Sequence, residues 1–99
     1  MAKYVFSFRV PSGYRPSAGT PAEWQAWFGG LGSALVDVGN AVTDYAALGE
    51  AGGSDSRMVA YSVISAADMD AALAIAKGCP VMRAGGGVEV GPVMEVAGS

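Results

Sequence analysis

The chain has 99 residues, which leaves room for one domain around one modest core. It is 52% hydrophobic, only 15% charged and carries a net charge of −3, so its polar residues are too few to cover a monomer's exterior, and a second copy is expected against part of the surface. Six lysines and arginines, scattered singly, make no basic stripe and exclude nucleic acid as a partner, and no apolar run approaches the roughly 20 residues that cross a bilayer, which excludes a membrane span.

Residues 3–10, KYVFSFRV, alternate. Tyr4, Phe6, Phe8 and Val10 fall on one face and Val5, Ser7 and Arg9 on the other, which predicts a strand with one thoroughly apolar side. Arg9 and Pro11 interrupt this opening too early for a secretory signal, so a cytoplasmic location is expected. PSGYRPSAGT is rich in Pro, Gly and Ser and reads as a loop. Thr20-Pro21-Ala22-Glu23 then starts a helix: Thr20 caps, Pro21 suits the first helical position, and Glu23 completes a capping box. Trp24, Phe28, Leu31 and Leu35 follow at helical steps, with Trp27, Ala34 and Val38 broadening the stripe, which predicts a helix ending at Gly39-Asn40. Gly29, Gly30 and Gly32 weaken such a helix by about 1 kcal/mol each relative to alanine, so close packing of its backbone is expected.

Residues 41–48, AVTDYAAL, are expected to form the second strand, and GEAGGSDS a flexible connection. RMVAYSVIS predicts a third strand, with Val59, Tyr61 and Val63 facing one way and Met58, Ala60, Ser62 and Ile64 the other. Ser65 is placed to cap a second helix, with Asp68 and Asp70 near its positive end and Met69, Ala72, Leu73 and Ala76 as its buried stripe. Gly78 stops that helix and Pro80 prevents its continuation. GGGVEVGPVMEV closes the chain as a strand, with Val88, Val90 and Met94 on one face and Glu89, Val93 and Glu95 on the other; residues 98–99 form a tail.

The order strand, helix, strand, strand, helix, strand predicts a single α+β domain over residues 1–99. The arrangement is ferredoxin-like βαββαβ, a four-stranded antiparallel sheet with two helices on one face. Several strands are apolar on both faces, so the bare face needs a cover of its own. A homodimer with facing sheets is the simplest one.

Three stretches resemble the YCII-related family of small proteins: KYVFSF, PAEWQAWFGGLGSALVDVGNAV and, above all, YSVISAADMDAALAIAKGCPVMRAGGGVEVGPVME. The last has that family's aromatic strand, acidic helix start, Lys-x-Cys-Pro helix end and Gly-Gly-x-Val-Glu-Val strand. The resemblance covers nearly the whole chain. It implies a ferredoxin-like subunit, a dimeric α/β barrel with facing sheets and a pocket between sheet and helix, and it implies no single activity. Two departures stand out. Where many relatives carry Asp-Gly-Pro-Phe before the third strand, this chain has SDSRM. Where members proposed to be enzymes carry a helix histidine followed by an aspartate, this chain has Trp24 and Trp27, with Asp37 in a place comparable to the aspartate. A His–Asp mechanism does not carry over.

The chain has no histidine, which removes the commonest general base, the usual haem ligand and most zinc geometries; no metal and no cofactor is expected. Asp37 is the candidate catalytic base if a cleft buries it; otherwise Asp37 and Asn40 organise a turn. Arg9 is the candidate clamp for a carboxylate or phosphate, with Ser7 beside it; otherwise it pairs with Glu89 or Glu95 across the sheet. Trp24 reads as core, whereas Trp27, at the margin of the stripe, is the candidate aromatic wall of a pocket. Tyr61 and Tyr45 carry hydroxyls that can orient a ligand or serve the sheet, and Glu89 faces either a cleft or solvent. The lone cysteine, Cys79, fits a reducing compartment, and its place at a helix C-terminus makes it a poor nucleophile. The AGGGVEV glycines open no helix and form no phosphate cradle.

Two functions stay open at this point. One is a cytoplasmic homodimer that binds a small, partly aromatic or acidic metabolite between sheet and helix, with cofactor-free proton transfer or elimination as the chemistry such a cleft can host. The other is a non-catalytic protein-interaction module. Arg9, Trp27 and Asp37 converging on one pocket would favour the first.

Overall fold

A computed structural model of the chain describes residues 1–15, 20–44, 46–50 and 56–94. Tyr45, Glu95, the tail and most of the expected connection GEAGGSDS lie outside the described residues. The elements are β1 (Ala2–Pro11), α1 (Thr20–Leu31), β2 (Leu35–Ala41), β3 (Ser56–Ala66), α2 (Met69–Ala76) and β4 (Gly87–Pro92), with 3-10 turns at Gly32–Ala34 and Pro80–Ala84. The strands form one antiparallel sheet in the order β2-β3-β1-β4, so the fold is a small α+β unit compatible with the ferredoxin-like arrangement.

The alternation of β1 sets the core. Tyr4, Phe6, Phe8 and Val10 are buried on the helix side, joined by Ile64 and Ala66 of β3, Ala72 and Ala76 of α2, Cys79 and Val81. Phe8 is the hub. Its ring meets Trp24 edge-on at 4.9 Å between centroids and Trp27 at 5.8 Å, with Phe28 at 6.5 Å and Phe6 at 6.3 Å. Burying a side chain of this size contributes about 1.5–3 kcal/mol, and each aromatic contact adds about 0.5–1.5 kcal/mol. The hydroxyl of Ser62, fully buried among these residues, donates to the Val38 carbonyl at 2.6 Å and fastens β2 to β3 from the core side.

Four expectations are corrected. First, α1 stops at Leu31, and residues 35–41 are β2 rather than the end of a helix. Gly32 has φ +56, the left-handed conformation that ends helices, and Leu35, Asp37, Asn40 and Ala41 then pair with β3. Among the described residues of the strand expected over 41–48, only Ala41 is therefore in the sheet, extended by the Val42 amide donating to the Val59 carbonyl at 2.8 Å. Second, Gly29 and Gly30 face open space instead of packing closely: a β-carbon on either would meet nothing within 4 Å. Third, Ser65 belongs to β3, and α2 is capped by Asp68, whose Oδ1 accepts the Ala71 amide at 2.8 Å. Fourth, α2 buries Ala72 and Ala76 and leaves Met69 and Leu73 substantially exposed, because the small alanines bring the helix close to the sheet. A bulge opposite Phe8 and Arg9 makes Val59 the extra residue of β3, so Val59 packs on the core with Ala60 while Tyr61 faces away.

The two sheet edges differ. β2 carries two register irregularities, and at Gly39 (φ +73) a β-carbon would strike the Tyr61 carbonyl, so only glycine fits this close crossing. On β4, the Val93 amide donates to the Lys3 carbonyl at 2.9 Å; by alternation Val88 and Val90 turn both backbone groups outward, and Pro92 turns out a carbonyl but has no amide to offer.

Candidate ligand-binding cleft

The helix face and the open face of the sheet divide the candidate residues. Ser7, Tyr61 and Glu89 fall in one row across the open face: Ser7 lies opposite Glu89 of β4 on one side and opposite Tyr61 of β3 on the other, and Asn40 of β2 extends the row. The Asn40 amide donates to the Tyr61 hydroxyl at 2.9 Å. Arg9 lies beside this row. Its Nε donates to Ser56 Oγ at 3.0 Å, one terminal nitrogen donates to the Ser56 carbonyl at 2.9 Å, and the other lies 3.3 Å from Glu89 Oε1. Of the two alternatives for Arg9, pairing across the sheet to Glu89 is the one observed. A recess of about 520 Å³ adjoins Arg9, floored by Gly85, Gly86 and Gly87, but its guanidinium is already engaged at all three nitrogens.

Trp27 is on the other side of the sheet, in the aromatic cluster, with its indole edge facing Gly78. Asp37 lies on β2, exposed, and its Oδ1 accepts the Gly39 amide at 2.8 Å, so it organises the local backbone of a strand rather than the end of a helix. The structure thus gathers Arg9, Ser7, Tyr61 and Glu89 on one face, with Asp37 opposite Val63 at the β2 edge of that face, and keeps Trp27 on the other side of the sheet.

The most ligand-like space lies elsewhere, under α1. A cleft of about 460 Å³, within the usual size of a small-molecule site, opens between α1 and the β2–β3 side of the sheet. Trp24 and Phe28 wall it from the helix, Val59 and Ala60 from β3, and Val38 to Ala41 from β2; Tyr14 and Val81 close its end. The local reasons are plain. Trp24 and Phe28 sit one turn apart on α1, and the bulge turns two consecutive β3 residues toward the helix. No residue of α1 is fully buried, so the helix bridges the sheet rather than sealing onto it. The walls are almost wholly apolar, which suits the hydrophobic body of a ligand, and among the described residues they include no carboxylate, amine or reactive thiol. Cys79 is no exception: it is fully buried and burial pushes its thiol up to about 11. Sequence reasoning placed Trp24 in the core and singled out none of the other walls. The available signal was Gly32 followed by β-branched residues, which ends the helix early and brings 35–41 to the sheet beside it.

Comparison of the chain with models of known protein families, with curated proteins and with solved structures finds no match. No described helix is long and apolar enough to cross a membrane.

Proposed function

We propose that this protein is a cytoplasmic, YCII-related homodimer that binds a small apolar or aromatic metabolite under α1. The observation that carries the reading is the apolar cleft between Trp24 and Phe28 on one side and Val59 and Ala60 on the other. A binding role is preferred to catalysis: Asp37, the remaining candidate base, is outside the cleft's walls and its carboxylate is taken up by the Gly39 amide. Proton transfer or elimination would need a base from the ligand or from a second copy.

The dimer reading draws on the open face, where Val5 is left exposed opposite a half-buried Val63, and a half-buried Ser7 lies opposite a half-buried Tyr61. The β2 edge is irregular, which favours the open face over that edge for a second copy. Facing sheets would give the dimeric α/β barrel that the family resemblance implies.

Native mass spectrometry of gently purified protein, followed by tryptophan fluorescence during ligand titration, tests this reading. The expected result is a dimer carrying a small adduct, with emission that changes on ligand removal because Trp24 walls the cleft. A bare dimer whose emission responds to no apolar probe would shift the assignment to the assembly module, and a monomer would overturn the facing-sheet arrangement.

A further inference from the structure

The apolar cleft adjoins a second space. Beyond Tyr14, Thr20 and Trp24 lies a second recess of about 360 Å³, and those three residues are walls of both spaces. The character changes across that shared wall. The recess is lined by Arg15, Arg83 and Glu23, two cations against one anion in a chain whose overall charge is −3. Among the described residues Arg15 has no hydrogen-bond or ion-pair partner. Arg83 is held only by Glu23, at 3.4 Å, and the two side chains are 63% and 49% exposed. That separation is long for a charge-assisted bond, which ordinarily closes to about 2.7–2.9 Å, and an exposed pair of this kind contributes about 0–1 kcal/mol. Arg9 differs on each point. It is fully engaged and lies on the far face of the sheet.

Resting on the cleft reading, we propose that the ligand is a small aromatic or branched apolar acid. Its hydrocarbon body lies between α1 and the sheet, and its carboxylate crosses the Tyr14–Trp24 wall to Arg15 and Arg83, displacing Glu23 from Arg83. A planar carboxylate can take two guanidinium hydrogens from either arginine, and the apolar cleft fixes which end of the molecule points there.

A series of ω-phenylalkanoic acids, from phenylacetic to 5-phenylpentanoic, titrated against the intact protein beside the matching primary amides, tests the assignment. Tryptophan fluorescence reads both series, since Trp24 walls both spaces. At the chain length that spans the wall the acid is expected to bind about tenfold or more tightly than its amide, and that preference shrinks as salt is raised. In the double variant Arg15→Gln/Arg83→Gln the acid falls to the level of the amide while the amide is unchanged. Glu23→Gln, which removes the competing carboxylate, strengthens the acid several-fold. Equal binding of acid and amide, or an acid preference that survives the double variant, overturns the carboxylate site and leaves the cleft standing. Failure of both series to bind overturns the cleft reading and this inference with it.

Discussion

The three glycines around the end of α1 give a prediction in which neighbouring positions respond with opposite sign. Gly29 and Gly30 lie in the last turn of the helix with open space where a β-carbon would be, whereas Gly32, just past the end, has φ +56. An alanine at 29 or 30 meets no atom and restricts the unfolded chain. The full helix-interior difference between Ala and Gly is about 1 kcal/mol, and fraying of a last turn reduces it to roughly 0.5 kcal/mol at each site. The double variant Gly29→Ala/Gly30→Ala should therefore gain about 1 kcal/mol, which for a domain of this size raises Tm by about 4–8 °C. Gly32→Ala, forced into a left-handed conformation, should lose about 1–2 kcal/mol. Urea unfolding followed by far-ultraviolet circular dichroism measures all three at one fixed protein concentration, because dimerisation shifts apparent stability. An unchanged slope with a shifted midpoint is the expected form. Loss of more than about 1 kcal/mol in the 29/30 double variant would refute the reasoning, since the last turn would then have to be packed against another surface.

Ser62→Ala leaves the Val38 carbonyl without its core-side donor and should cost about 1–3 kcal/mol, with the loss concentrated in protection of β2; urea unfolding and amide exchange measure the two effects. Arg9 and Glu89 should couple by less than about 1 kcal/mol in a double-mutant cycle, because Glu89 is largely exposed, whereas Arg9→Ala alone costs more because it also removes the two hydrogen bonds from Arg9 to Ser56. Cys79 has an ordinary thiol value of 9.0, raised to about 11 by burial, so the native state keeps its proton where the unfolded chain gives it up. Its contribution to stability is complete below about pH 9 and is lost as pH rises through 11; wild type should therefore lose stability across that interval relative to Cys79→Ala, and alkylation at pH 8 should require unfolding.

How far the sequence could be read depended on whether one periodicity governed each segment. β1 was legible because its large apolar residues fall at every second position with nothing at helical spacing to compete, and β4 was legible as far as Pro92 for the same reason. Segment 35–41 satisfied both periods: Leu35 and Val38 continue the helical stripe of Trp24, Phe28 and Leu31, while Val36 and Val38 alternate. The backbone of Gly32 and pairing with β3 decided it, and neither is visible in a hydrophobic pattern. In α2 the stripe reads as Met69, Ala72, Leu73 and Ala76, and only its two alanines are buried, because close approach to the sheet favours small side chains. The polar candidates Ser7, Arg9 and Glu89 were correctly set on the less apolar face of their strands. Which face lay over a cleft was another matter, because that depends on where α1 stands above the sheet. The cleft takes its walls from elements far apart in the chain, and Arg15 and Arg83 enter the recess beside it from a loop and a 3-10 turn that carry no pattern of their own.

A helix with none of its residues fully buried is also the part of this molecule that opens first. Amide hydrogens of α1 should exchange with solvent through partial openings that leave β1 and β3 intact, while those of Phe6, Phe8 and Ile64 exchange only when the whole chain unfolds. The roof of the cleft is then its door, and a molecule held beneath it would slow exchange in α1 before it changed anything in the sheet.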